Sequence, residues 1–312
     1  MRADPRELVQ RAVQGERRAL ARAISAIEAR VAGVGEVLAS TPVRRRQGPG
    51  APHVIGLTGP PGAGKSTFAD RIVALARARG ERVAVVAVDP SSPFSGGSIL
   101  GDRVRMEKHT GDDGVFVRSL SARGHLGGLS AATTEVVDLL DAVGFDTIVV
   151  ETVGVGQSEL GVMEVADSVV VVLTPESGDT VQTLKAGLLE IADVFVVNKA
   201  DRRGAHRLAR ELERSIALDD GPGYKPPVFT ASAQDNEGVD QVVDAARDHL
   251  GWCREGGQTV WTRRRGDARV RLYLDLVAER ARRMADEGLD DALREQLRRG
   301  EVVPQQLAGV SR

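Results

Sequence analysis

Between Val54 and about Leu250 the chain alternates between short, unbroken apolar runs and stretches in which apolar positions recur every three or four residues. The runs are VIGLT (54–58), RVAVVAV (82–88), VFVRSL (115–120), DTIVVET (146–152), SVVVVLT (168–174), VFVVN (194–198) and PVFTAS (227–232). Their Val and Ile side chains suit extended backbone, and apolar residues at successive positions imply strands covered on both faces. The pattern predicts a three-layer α/β fold, a mostly parallel sheet with helices on either side. Between the first two runs, Phe68, Ile72, Leu75 and Ala76 share one helical face and Gly80 closes the helix, which makes one β-α-β unit.

The flanks read differently. Asp4 and Pro5 form a helix start and Leu20, Ile24, Ile27 and Val31 line one face, so residues 5–39 predict helix, divided in two at Gly15. Ser40 to His53 combines Pro, Gly and clustered Arg without periodicity and predicts a linker, with Arg44-Arg45-Arg46 read as solvated rather than as an anion patch. In the tail, Val270, Leu274, Val277, Ala281 and Met284 recur at heptad spacing, and Leu289, Leu293 and Leu297 follow before Gly300. Two helices with narrow apolar seams are expected there; two heptads are too few for a coiled coil, which leaves packing on the domain and a dimerisation arm both open. The expected organisation is a helical extension and linker over 1–50, the α/β domain over 51–251 and a helical arm over 252–312.

Composition narrows the function. The 312 residues carry 42 Lys+Arg against 44 Asp+Glu, a formal charge of -2, which argues against a salt-driven nucleic-acid binder. A single cysteine, Cys253, excludes an intramolecular disulfide, makes a structural zinc site improbable and fits a reducing compartment. No apolar stretch approaches the roughly 20 residues of a membrane helix, and the first ten residues lack an apolar signal core. A cytoplasmic protein without a membrane partner is expected. Five of the 42 basic residues are lysine: Lys65, Lys108, Lys185, Lys199 and Lys225.

Two of those lysines fall in motifs. The run VIGLT leads into Gly59-Pro60-Pro61-Gly62-Ala63-Gly64-Lys65-Ser66-Thr67 and then a helix, which satisfies GxxxxGK[ST] in strand-loop-helix context. Glycines let backbone N–H groups converge on phosphate oxygens, Lys65 adds a mobile charge at the β/γ-phosphates, and the Ser66 hydroxyl can ligate Mg²⁺. Asn198-Lys199-Ala200-Asp201 ends a later apolar run, and Ala231-Ser232-Ala233 ends the next. An Asp201 carboxylate can accept hydrogen bonds from guanine N1–H and its 2-amino group, donors that adenine lacks in that arrangement. Lys199 would lie along the purine face, and Ser232-Ala233 would close over the guanine edge. GTP is the expected nucleotide.

Carboxylates remain for the metal. Glu151 ends DTIVVET with Gly154 three residues on, where many GTPases carry Asp-x-x-Gly, so Glu151 is placed to hold Mg²⁺ through a water and the Gly154 N–H to sense the γ-phosphate. Asp89 closes the second run and is a candidate for positioning water or an outer-shell metal contact. Asp102, in SILGDRVRM, lies in a polar stretch suited to a switch loop. No Ser-His-Asp or Cys-His arrangement competes for the chemistry.

With these motifs in hand, the chain resembles the methylmalonyl-CoA-mutase-associated GTPases, the MeaB/ArgK family. The resemblance rests on GPPGAGKST, VDPSSPFSGGSILGDRVRM, ETVGVGQSE, NKAD and SA in that order, spanning about Pro5 to Ala285. It implies a homodimeric, Mg²⁺-dependent P-loop GTPase that chaperones an adenosylcobalamin-dependent acyl-CoA mutase, gating cofactor loading and protecting the mutase from inactivation. Carried over, Ser66, Asp89, Asp102 and Glu151 are the metal and switch set and Lys65 the phosphate ligand. Thr174 to Lys185 matches a further switch loop that relays nucleotide state to the mutase, with Asp179, Gln182 and Lys185 spaced to share one polar face. Tyr224-Lys225 stands where many members have Trp, a departure from the family pattern. The competing readings are an ATP-using kinase or transport ATPase, against which NKAD speaks, and a metallocentre-insertion GTPase, which five scattered His and one Cys disfavour. A purely structural nucleotide binder is the last.

Overall fold

The computed structural model describes residues 4–43, 50–89, 109, 111–121, 131–152, 158–176, 188–218 and 223–255, and part of the stretch 267–299. These belong to two compact units, Met1–Ala268 and Arg269–Arg312.

In the first unit every expected run is a strand: β1 (His53–Thr58), β2 (Val83–Asp89), β3 (Val115–Ser121), β4 (Thr147–Thr152), β5 (Ser168–Leu173), β6 (Val194–Asn198) and β7 (Val228–Ala231). They form one sheet in the order β3-β2-β4-β1-β5-β6-β7, and each described pairing is parallel. The expectation of a mostly parallel sheet is met in full. β1, β4, β5 and β6 are buried at every position, the physical origin of their unbroken apolar runs.

Successive strand residues point into different cores. Val54, Ala84, Val86, Ile148 and Val150 face one; Ile55, Leu57, Val83, Val85 and Val149 face the other. The second core is closed by α4 (Lys65–Ala78) and by the long helix Val239–Glu255, whose interior runs through the boundary expected at 251. The first is closed by α5 (Ala131–Val143), α6 (Ser158–Val165) and the helix Ala205–Ala217, with a short turn of helix, Leu188–Ile191, beside them. In chain order these last three and the long helix are α7 (Leu188–Ile191), α8 (Ala205–Ala217) and α9 (Val239–Glu255).

The N-terminal extension shares the first core. It has three helices where two were expected: α1 (Pro5–Val13), α2 (Arg17–Glu28) and α3 (Val34–Ser40). The extra break falls between Arg30, at φ 51°, and Gly33, at φ 84°, where left-handed backbone ends the helical run. α1 starts as expected, with Asp4 Oδ1 accepting from Arg6 N–H at 3.0 Å and Pro5 in the first turn. Leu20, Ile24 and Ile27 are buried, and Val31 is partly buried against them.

In the second unit the described residues between 270 and 287 are helical, and α10 (Asp291–Arg298) is capped by Asp290 Oδ1, which accepts from Leu293 N–H at 2.7 Å. Val270, Tyr273, Leu274, Val277 and Met284 are exposed within it.

Candidate nucleotide site

Because the strands are parallel, the ends of β1, β4, β6 and β7 open onto one edge of the sheet, where ligands of such folds gather. The loop 59–64 leaves β1 there and turns into α4. Two of its glycines are required by close backbone approach. At Gly59, φ 136°, a Cβ would lie 2.0 Å from the Val172 carbonyl oxygen on β5; at Gly64, φ 89°, it would lie 2.5 Å from Asn198 Nδ2. Gly62, also at positive φ, faces open space.

Lys65 opens α4, buried to 6 % exposure, and its Nζ donates to the carbonyls of Gly59 at 2.7 Å and Pro60 at 3.1 Å. The ammonium is thereby folded over the loop whose backbone it would help to offer to phosphates. Ser66 Oγ donates to Glu151 Oε1 at 2.6 Å, both residues buried. This contact follows from register: Glu151 on β4 pairs with Leu57 on β1, so the carboxylate stands beside the strand that feeds the loop. A hydroxyl and a carboxylate are hard oxygen donors, and a set this small fits Mg²⁺, which keeps waters and substrate phosphates among its ligands. Among the described residues no group of three His, Cys, Asp or Glu side chains could enclose a metal by itself.

At the base-reading end, Asn198 is buried at the tip of β6. Its Nδ2 donates to Ala63 O at 2.8 Å and its Oδ1 accepts from Ala233 N–H at 3.0 Å, so one side chain joins the phosphate loop to the loop after β7. Lys199 is half-buried at φ 59°, Ala200 N–H donates to Ala231 O at 3.0 Å, and Asp201 is exposed. Ser232 and Glu237 exchange backbone hydrogen bonds of 3.0 Å, and Ser232 Oγ donates to Asp235 Oδ2 at 2.5 Å. The structure thus brings Gly59 to Thr67, Glu151, Asn198 to Asp201 and Ala231 to Ala233 to one end of the sheet. Asp89 ends β2 at that edge. Asp102, Gly154, Asp179, Gln182 and Lys185 lie outside the described residues.

Several contacts had no signal in the sequence. Asp70 on α4 lies 2.8 Å from His109 Nε2, and Arg77 meets both Asp112 oxygens at 2.8 and 3.0 Å, tying α4 to the approach to β3. The hydrogen bonds from Arg77 hold the Asp112 carboxyl below its ordinary range. Glu176, just past β5, is paired with Arg202 beside Asp201, and that guanidinium holds the Glu176 carboxyl down to about 2.

A second cluster of polar side chains lies away from the nucleotide site. The structure does assemble serine, histidine and aspartate: Ser168 Oγ lies 3.0 Å from His249 Nδ1, and His249 Nε2 lies 3.2 Å from Asp193 Oδ1 and 3.4 Å from Cys253 Sγ. The cluster sits at the opposite, amino ends of β5 and β6, and its members are at most 3 % exposed. No substrate can reach the hydroxyl, so the arrangement is a packed polar network and not a nucleophile with its base.

A parallel sheet with a glycine-rich loop and lysine at the carboxyl end of a central strand defines a P-loop nucleotide-binding α/β protein. The family described as methylmalonyl Co-A mutase-associated GTPase MeaB matches residues 20–288, and the chain belongs to it. It is a GTPase by that membership, and guanine nucleotides are its ligands. A relative in Pyrococcus horikoshii is 45 % identical over 264 residues, 83 % of this chain and 81 % of that one. The GTPase ArgK of Escherichia coli is 37 % identical over 284 residues, 86 % of this chain and 85 % of that one. The mouse mitochondrial methylmalonic aciduria type A homolog is 37 % identical over 251 residues, 76 % of this chain and 60 % of that one. A crystal structure of a LAO/AO transport system kinase superposes with a TM-score of 0.68 at 27 % identity, covering 99 % of this chain and 96 % of that one. No described helix is long and apolar enough to cross a membrane.

Proposed function

We propose that this GTPase is Mg²⁺-dependent and acts as a nucleotide-controlled chaperone of an adenosylcobalamin-dependent acyl-CoA mutase, methylmalonyl-CoA mutase foremost, in the cytoplasm. The observation that carries the partner is the family match over residues 20–288, whose description names that mutase. Guanine is held by Asn198, Lys199, Ala200 and Asp201, with Ala231, Ser232 and Ala233 closing over it.

At the other end, the backbone from Gly59 to Thr67 cradles the phosphates and the Lys65 ammonium faces the β/γ bridge. Ser66 and Glu151 hold Mg²⁺, which when bound neutralises charge on the phosphoryl oxygens; Asp89 and Asp102 supply further carboxylates for metal or water. The catalytic contribution of this set is charge stabilisation and positioning. The segment after β4 has no Gln immediately past Gly154; Gln157 comes three residues later. Such a water-positioning set gives slow intrinsic hydrolysis that a partner completes. Asp179, Gln182 and Lys185 relay nucleotide state to the mutase, and the exposed Val270, Leu274, Val277 and Met284 pair two copies into a homodimer.

The test is capture of purified candidate mutases on the immobilised chain in GDP and in a non-hydrolysable GTP analogue, with turnover followed alongside. Nucleotide-dependent capture together with mutase-stimulated hydrolysis is expected. Capture of none, or turnover indifferent to every mutase, would remove the chaperone reading while leaving the GTPase intact. The kinase name of the structural neighbour suggests phosphotransfer instead, a reading that predicts ATP use and a phosphorylated acceptor.

A further inference from the structure

Arg71 lies six residues past Lys65 on the same helix and is half-buried. Its Nε donates to Ala233 O at 2.9 Å and its Nη2 to Gln234 O at 2.8 Å. A planar guanidinium with parallel donors is matched to two successive carbonyls in a way a lysine ammonium is not. The Ala233 residue is therefore gripped at both of its peptide groups: its N–H by Asn198 Oδ1 at 3.0 Å, its carbonyl by Arg71. Asn198 also holds Ala63 O at 2.8 Å, and Ala63 leads through Gly64 into α4 and back to Arg71. Phosphate loop, α4, base-closing loop and the tip of β6 form one closed ring of covalent and hydrogen bonds.

We infer that Arg71 is a positioning residue for the guanine base: it fixes the Ala233–Gln234 peptide and so sets how long guanine nucleotide stays bound. This rests on the reading of Ala231 to Ala233 as the loop that closes over guanine. Among the described residues Arg71 bonds to Ala233 and Gln234 in the loop after β7, whereas Lys65 bonds to Gly59 and Pro60 and Ser66 to Glu151 at the phosphate end. Its loss therefore acts on residence of the base before it acts on the chemistry.

The experiment uses the full chain and a fluorescent GDP whose release is timed by stopped flow. Arg71→Ala is expected to release GDP about tenfold faster, a change of about 1.4 kcal/mol. The same variant should raise KM for GTP by a similar factor and lower kcat less than twofold. Arg71→Lys keeps a charge but only one well-aligned donor and should fall between, about threefold faster; it decides the matter if the alanine variant fails to fold. Release within twofold of the parent in both variants, or a loss falling mainly on kcat, overturns the assignment. The parent chain is run against ADP in parallel, and Asp201→Asn against xanthosine diphosphate. If the parent holds ADP as well as GDP, the guanine reading falls and the role of Arg71 falls with it. If the parent discriminates and the Arg71 variants release GDP at its rate, Arg71 alone is overturned.

Discussion

Two cations six residues apart on α4 illustrate how charge type is matched to task. Lys65 has three donors on a flexible stem and can leave the carbonyls of Gly59 and Pro60 for a phosphate at little geometric cost. Arg71 has a rigid fork and stays on the two carbonyls it fits. The separation of phosphate and base functions should appear in substitutions. Lys65→Ala should lower kcat/KM for GTP by roughly a hundredfold or more, because it removes charge where the transition state gains it. Asp201→Asn should leave the phosphate end alone and weaken GDP by roughly a hundredfold, the worth of a charged acceptor facing two donors. Xanthosine diphosphate, with a carbonyl where guanine has its amino group, should then bind the Asn variant better than GDP does. Titration calorimetry with the two diphosphates and steady-state turnover with GTP separate these effects. Turnover untouched by Lys65→Ala, or equal weakening of both bases by Asp201→Asn, would contradict the assignment.

At the scale of elements, the strands were legible because burial on both faces leaves an unbroken apolar signature, and the phosphate loop because GxxxxGK[ST] follows one of them. The seam between loop and sheet was not. That Gly59 must lie against Val172 of β5 depends on β1 and β5 being neighbours, which no local pattern reveals. Nor could α3 be told from α2, since the break needs Arg30 in a left-handed conformation that arginine does not advertise. Along the sequence Arg71 is one arginine among many, and the NKAD motif marks Asn198 as a ligand group without disclosing its two braces to Ala63 and Ala233. The two loop glycines give a test of the seam. Gly59→Ala drives a Cβ to 2.0 Å from a backbone carbonyl that cannot rotate away, and should cost about 3 kcal/mol. Gly62→Ala meets nothing within 4 Å and bears only the positive φ of 75°, about 1 kcal/mol. Urea midpoints of the two variants should differ accordingly; equal midpoints would mean that the loop does not sit against β5.

For the molecule as a whole, the end of the sheet away from the nucleotide site carries one acid-sensitive contribution to stability. His53 opens β1 with 8 % exposure, its Nε2 3.0 Å from Ser168 Oγ. Ser168 Oγ donates to Ala246 O at 3.0 Å and also faces His249 Nδ1, so β1, β5 and α9 meet on one hydroxyl. With the hydroxyl proton committed to that carbonyl, the His53 Nε2–H donates to Oγ and Nδ1 is left without a proton. Burial pushes the His53 imidazole down to about 4, with Asp167 opposing and Arg247, His249 and Arg254 adding to the fall. The folded value lies below the roughly 6.5 of an unfolded chain, so between the two the unfolded state binds more protons. Stability from this site is complete above about pH 6.5 and is lost as pH falls toward 4. The loss amounts to about 2 kcal/mol between pH 7.5 and pH 5. On the alkaline side Tyr224, whose ring lies edge-on to His249 at 4.7 Å, is pushed up to about 12 by burial, so the same network loosens as pH rises past 10. Replacing His53 by Gln keeps an N–H donor at the reach of Nε2 without a titrating group. Denaturant unfolding of the parent and of His53→Gln at pH 7.5 and pH 5 should show the acid loss smaller in the variant by about 2 kcal/mol. An identical pH response in both chains would place the acid sensitivity elsewhere, while a smaller one in the variant would tie the stability of the GTPase to a polar network remote from its nucleotide.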